Sequence, residues 1–211
     1  MKIINCQQGT DEWLNARLGI MTASNAHLLL VNGKKDGLGD GLITHAYHLI
    51  AERFTGRQSG KFDGNEYTER GHFLEPIVSD YYVKMGYATP SEIAEVGIVL
   101  NFADKYGYPV GASPDRLVGE NAGLEIKTRE PHLQAKLLDT DDIGKEHLAQ
   151  VQFNLWVTGR EWWDYISYAD GMPFFIKTYF PDRQMHALFD EKIGKFYQMI
   201  EQKMNKMLGA K

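Results

Sequence analysis

Two acidic residues and a lysine carry the first chemical signal in the chain. Ser113-Pro114-Asp115-Arg116 is followed, ten residues after Asp115, by Glu125, and then by Ile126 and Lys127. Between them Gly119-Glu120-Asn121-Ala122-Gly123 has the composition of a hairpin turn. On the two strands of such a hairpin, Asp115 and Glu125 face each other near the open end of the ladder. Residues 125 and 127 are two apart and project from the same face of a strand. Two carboxylates and an ammonium on one sheet face suit a hard divalent cation. Mg²⁺ prefers oxygen ligands, takes one or two carboxylates and keeps several waters. The Ile126 carbonyl points into the same region and offers a further oxygen. Lys127 is then placed to position, or help deprotonate, a water that attacks phosphorus. An exposed Glu-x-Lys pair also arises as plain surface ion pairing. Here Leu124 and Ile126 alternate with Glu125 and Lys127, so the strand buries one face.

A second set suits an anion. Ser24 lies near the start of a predicted helix, where free N–H groups and the dipole favour negative charge. Arg17, seven residues upstream, adds a bidentate donor matched to phosphate, and Ser113 can add a hydroxyl. Ser24 on its own reads as a helix cap. Other groupings read more plainly. His45 and His48 with Glu52 have a spacing that zinc could use, but lack a fourth ligand and are read as ordinary helix residues. Trp162, Trp163, Tyr165 and Tyr168 could stack bases, yet in a strand they read as sheet-packing residues. Cys6 reads as a small buried residue.

These residues need elements to hold them. Helices are predicted over Asp11–Leu18, from Thr22 or Ser24 through Val31, over Leu42–Phe54 and over Asn65–Met85, with a kink or fresh start near Glu75 because Pro76 follows it. The period then changes to strands over Ile93–Phe102, Tyr106–Val118 and Gly123–Thr128, with Ala103–Gly107 read as a turn. A short helix after Pro131, a stronger one over Lys145–Thr158, strands Trp162–Tyr168 and Phe174–Phe180, and a helix from Asp182 to Leu208 complete the chain. The glycine-rich stretch Asn32–Gly41 reads as a surface loop. The order predicts an α/β (α+β) three-layer fold with a mixed central β-sheet flanked by helices.

Composition narrows the function. The chain has 211 residues, with 23 Lys+Arg against 28 Asp+Glu and a net charge of −5. That balance argues against a generally basic nucleic-acid binder but permits a local basic patch. A single cysteine excludes a disulfide framework and a four-thiolate zinc or iron–sulfur site within one chain. No apolar run approaches the ~18 residues of a membrane span, and Met1-Lys2-Ile3-Ile4-Asn5 lacks a signal-peptide core. A cytoplasmic protein is expected, folded as one domain over residues 1–211.

The pattern Pro114-Asp115…Glu125-Ile126-Lys127 resembles the signature of the PD-(D/E)xK nuclease superfamily, of restriction-endonuclease-like fold. The resemblance extends to the phage lambda-type exonucleases of viral recombination. Arg17-Leu18-Gly19-Ile20-Met21-Thr22-Ala23-Ser24, Gly71-His72-Phe73-Leu74-Glu75, Gly111-Ala112-Ser113-Pro114-Asp115, Gly123-Leu124-Glu125-Ile126-Lys127 and the segment from Ala149-Gln150 to Thr158 look like that family's blocks, in its order. The resemblance implies a Mg²⁺-dependent alkaline exonuclease, with Mn²⁺ as a substitute and two ions per site. It would degrade the 5′-ended strand of duplex DNA to mononucleotides and leave 3′ overhangs. It also implies a homotrimeric ring around DNA, a single-strand annealing protein as partner, and a phage or prophage origin in a bacterial host. By resemblance Asp115, Glu125, the Ile126 carbonyl and Glu75 hold metal. Lys127 and Gln150 serve the nucleophile or scissile phosphate, Arg17, Ser24 and Ser113 hold a terminal 5′-phosphate, and Asp104 matches a further acidic position. Arg129, His132 and Lys136 stay open as the basic residue that tracks the strand. An endonuclease and a non-catalytic DNA-end adaptor of the same fold remain as alternatives, whereas the lone cysteine disfavours helicase-linked iron–sulfur relatives.

Overall fold

The computed structural model describes residues 1–33, 37–60 and 66–209, with the backbone alone for 66–69 and 72. In chain order the elements are β1 (Lys2–Ile4), α1 (Asp11–Ala16), a 3-10 helix (Ala23–Leu30), α2 (Asp40–Thr55), α3 (Glu66–Lys84), β2 (Ile93–Ala94), β3 (Ile98–Asn101), α4 (Ala103–Tyr106), β4 (Val110–Ala112), β5 (Arg116–Val118), β6 (Ala122–Thr128), α5 (Pro131–Thr140), α6 (Lys145–Thr158), β7 (Trp162–Tyr168), β8 (Phe175–Tyr179) and α7 (Arg183–Met207). The expected helix start at Asn65 and the centre of the glycine-rich loop, residues 34–36, lie outside the described residues. Among the described residues no helix is long and apolar enough to cross a membrane.

The α+β class is as expected, but the strands form two sheets rather than one. A small antiparallel sheet runs β1-β3-β4, and a larger one runs β2-β5-β6-β7-β8. The larger sheet is mixed: β6 and β7 pair in parallel and its other neighbours are antiparallel. The two predicted strands over 93–102 and 106–118 each break and change sheet. At Gly97 any side chain would collide with Cys6 and the Ile4 carbonyl, so backbone packs against backbone there. The second break falls at Ser113-Pro114-Asp115, where Pro114 has no N–H to give a ladder. The N-terminal segment ties both crossings together. Gln8 Nε2 donates to the Val96 carbonyl (3.0 Å) and to the Pro114 carbonyl (2.8 Å). Trp13 Nε1 reaches the Gly97 carbonyl and Ser113 Oγ, each at 3.0 Å.

Other local departures have simple causes. The second helix forms as 3-10, and Ser24 Oγ turns to the Arg17 and Thr22 side chains rather than to the backbone of its first turn. Residues 103–106 make one helical turn rather than a plain turn, docked on α7 by Lys105 and Tyr106 at Asp190. Pro76 sits inside a continuous α3, on its exposed side. Cys6 is half-buried rather than buried.

Alternation along β6 sorts its side chains between two layers. Leu124 and Ile126 join Val78 and Tyr82 of α3 in one apolar cluster. Tyr165 and Trp163 of β7 face the other way, into a larger core with Val151, Phe153 and Leu155 of α6 and Phe189, Ile193 and Phe196 of α7. Glu125 and Lys127 therefore point to the α6 side, with Glu125 in register with Tyr165. Tyr82 OH donates to Asp164 Oδ2 (2.6 Å) and Thr178 Oγ1 to Asp164 Oδ1 (2.6 Å), anchoring α3 on the sheet through a buried polar chain.

Candidate active site

The hairpin β5–β6 brings Asp115 and Glu125 together as its spacing predicts. Arg116 pairs with Leu124, so Asp115 and Glu125 are the next pair at the open end. Asp115 Oδ2 accepts from the Ile126 backbone N–H at 2.6 Å, which locks the carboxylate across the strand. Glu125 is fully buried. Its Oε1 accepts from Lys127 Nζ and, at 2.6 Å, from Gln150 Nε2; its Oε2 accepts from Asn154 Nδ2 at 3.1 Å. Burial pushes the Glu125 carboxyl up to about 7, with Asp115 adding to the rise and Lys127 and Asn154 opposing it. Burial works against the Lys127 charge, but Glu125 and Asp115 outweigh it and hold its pKa above the ordinary lysine value. Lys127 is thus a cation at neutral pH, and its side chain is 26% exposed.

Glu75 arrives from the opposite side. Arg116, like Leu124, faces the α3 layer, and its Nη1 donates to Glu75 Oε1 at 2.7 Å. Burial and then the nearby Asp115 raise the Glu75 carboxyl, while Arg116 counteracts them. Glu75 therefore flanks Asp115 but is ion-paired on the far face. Asp104 is not brought to the cluster: it is exposed on α4, an element packed against α7. Among the described residues no group of three or more His, Cys, Asp or Glu side chains could hold an ion alone. Two carboxylates with a backbone carbonyl still match Mg²⁺, which needs no all-protein cage and fills its shell with water. The donor set of Asp115, Glu125 and the Ile126 carbonyl fits such an ion.

Arg17, Ser24 and Ser113 also converge. Arg17 Nη1 donates to Ser113 Oγ at 3.0 Å and Nη2 to Ser24 Oγ at 3.5 Å. Thr22 Oγ1 lies 3.1 Å from Ser24 Oγ. The guanidinium stacks 4.1 Å over the Trp13 ring. Burial lowers the Arg17 pKa to about 10, against the pull of Glu52, so it stays charged. Behind it lies a cavity of about 100 Å³ lined in part by Thr22, Asn25, His45 and Glu52.

Several participants escaped the sequence reading. Asn154 falls one helical turn after Gln150, Trp13 one turn before Arg17, and Arg116 sits next to Asp115; in each case the nearby motif residue was the available signal. Arg129, open as a strand-tracking residue, is tied down by Tyr165 OH (2.7 Å) and the Ile143 carbonyl. His147 tilts against Tyr165, and burial, then Lys127 and Arg129, lower its pKa to about 3.

A mixed sheet carrying a proline-aspartate crossing and a Glu-x-Lys strand, backed by a glutamine helix, defines a nuclease of the PD-(D/E)xK type. The model of the YqaJ-like viral recombinase domain matches residues 12–161, and the chain belongs to that family. Among solved structures, the alkaline exonuclease LHK-Exo from Laribacter hongkongensis is 28% identical, with 94% of this chain and 96% of that one aligned and a TM-score of 0.79. The same enzyme in complex with dAMP aligns over the same shares with a TM-score of 0.80. A phage-related exonuclease from Haemophilus somnus 129PT shares the fold at 12% identity, over 89% of this chain and 96% of that one, with a TM-score of 0.67. No curated protein sequence matches the chain at a significant level. The lambda-type resemblance of the five motifs is borne out: this is an exonuclease-type enzyme.

Proposed function

We propose that the protein, as a single domain over residues 1–211, is a divalent-metal-dependent exonuclease that degrades the 5′-ended strand of duplex DNA. It releases 5′-mononucleotides and leaves 3′ overhangs for a single-strand annealing partner. The observation that carries this reading is the separation of the two clusters by one short crossing. Ser113 belongs to the Arg17–Ser24 set and Asp115, two residues on, to the carboxylate set. A pocket for a terminal phosphate so close to a hydrolytic centre favours cutting near an end. The relative crystallised with dAMP, a mononucleotide, accords with such a product.

Asp115, Glu125 and the Ile126 carbonyl would hold Mg²⁺ or Mn²⁺, with Glu75 as an outer carboxylate beside Asp115; two ions per site are part of the proposal. When bound, the ion supplies Lewis-acid stabilisation of charge at the phosphate. Lys127 holds the attacking water by hydrogen bonding from its ammonium, and Gln150 orients that water or a phosphate oxygen through its amide. Arg17 clamps the terminal phosphate with two parallel donors, aided by the Ser24 and Ser113 hydroxyls. A homotrimeric ring with a phage or prophage origin, acting in the bacterial cytoplasm, completes the proposal.

The test uses linear duplex with one phosphorylated 5′ end, with Mg²⁺ or EDTA, and covalently closed circular DNA beside it. Mononucleotide release from the phosphorylated strand alone, only with metal, is expected, and Arg17→Ala should erase the preference for phosphorylated ends. Linearised circles, or equal rates on phosphorylated and hydroxyl ends in the wild type, would overturn the end-dependent reading.

A further inference from the structure

Asn154 lies in the middle of α6, fully buried, on a helix whose neighbouring Val151, Phe153, Leu155 and Val157 are all core. A primary amide there is expensive. Its Nδ2 donates to Glu125 Oε2, yet its Oδ1 is buried with no partner among the described residues. Leaving such an acceptor unmet destabilises the fold. Packing does not explain the amide, because an apolar side chain of the same size would fill the space without that cost. The contact with Glu125 does explain it.

The two oxygens of Glu125 have different partners. Oε1 meets Lys127 and Gln150, the groups proposed to act on the water and the phosphate, so Oε1 marks the edge of the carboxylate that faces the reaction space. Oε2 meets Asn154 from the helix interior. Gln150 and Asn154 are one turn apart and reach the same carboxylate from one helix face. The carboxylate of a strand glutamate turns freely about its last bond unless something fixes it. Asn154 is the donor that fixes the oxygen turned away from the reaction space.

We propose that Asn154 is a positioning residue of the metal site, holding Glu125 Oε2 through its amide so that Oε1 is presented to the divalent ion. The inference rests on the metal-dependent reading of the hairpin. Outer partners of this kind are worth about 10–100-fold in metal affinity. Asn154 thereby divides the carboxylate into one structural and one ligating oxygen, and α6 contributes to the metal site without supplying a ligand.

The test is Mn²⁺ binding to the full chain without DNA, followed by calorimetry or by the loss of the free-ion electron paramagnetic resonance signal. Asn154→Leu, close in volume, and Asn154→Ala, which leaves space, both remove the amide; circular dichroism selects variants that fold. The expected result is a loss of Mn²⁺ affinity of about tenfold or more. In a Glu125→Gln background the same substitutions should change the affinity by less than twofold, a coupling that a general packing defect would not give. Affinity within twofold of wild type in a folded variant, or an equal loss in the Glu125→Gln background, would overturn the inference while leaving the metal reading intact. Absence of Mn²⁺ binding by the wild type would overturn the metal reading itself, and the inference with it.

Discussion

Lys127 shares its charge with the same carboxylate oxygen that Gln150 holds, and both stand over a buried acid. Lys127→Ala is expected to abolish release of acid-soluble nucleotide while the protein still binds duplex ends in a gel-shift assay. Undiminished release would remove the lysine from the mechanism. The residues of this cluster differ in how far the sequence disclosed them. Asp115, Glu125 and Lys127 are local to one hairpin, so residue type and spacing suffice to bring them together. Glu75 and Gln150 came only through the family pattern, being distant in sequence. Asn154, Trp13 and Arg116 act through contacts between elements, and one chain read as text holds no record of which helix face meets which carboxylate. Arg116 is the instructive case: its alternation with Asp115 sends it to the opposite layer, where it pairs with Glu75.

At the scale of elements, α6 and β7 run over the residues predicted for them: Gly144 and Gly159 bound α6, and β7 is dense in the aromatic residues that favour strands. The sheets were less legible. Strand pairing is non-local, and the breaks at Gly97 and Pro114 looked like ordinary strand residues until their partners were known. The anchor of α3 offers a direct test of how an element is held. Tyr82→Phe keeps the ring but leaves Asp164, 2% exposed, short of one donor. The expected loss is about 1–3 kcal/mol in urea unfolding. An unchanged midpoint would mean that the sheet alone keeps α3 in place.

For the whole molecule, pH dependence follows from histidines kept neutral. His45 of α2 stacks on Phe196 of α7, and its Nε2 is buried with no partner among the described residues. Burial, then His48 and His27, lower its pKa from 6.5 to about 4, while Arg17 and Glu52 line the cavity beside it. His147 is lowered in the same sense. The unfolded chain takes up protons that the native protein refuses, so the stability these groups contribute is complete above pH 6.5 and is lost as pH falls toward 4. Urea unfolding at pH 7.5 and 5 should show a lower midpoint in acid, and His45→Phe should narrow the difference. An identical difference in the variant would place the acid sensitivity elsewhere.

The side-chain amide of Gln8 spans both points where the chain passes from one sheet to the other. In an instrument maker's vocabulary it is a set-screw. On the proposed reading, one sheet-crossing carries the grip on the strand end, through Ser113, and the blade, through Asp115, and two residues of chain span at most roughly 7 Å. The calibration of that gauge depends on the crossing staying where Gln8 fixes it. On the proposed reading, Gln8→Leu should blur the cut, giving dinucleotides beside mononucleotides when products are separated by chromatography. A uniform product at the wild-type rate would show that the crossing keeps its own measure.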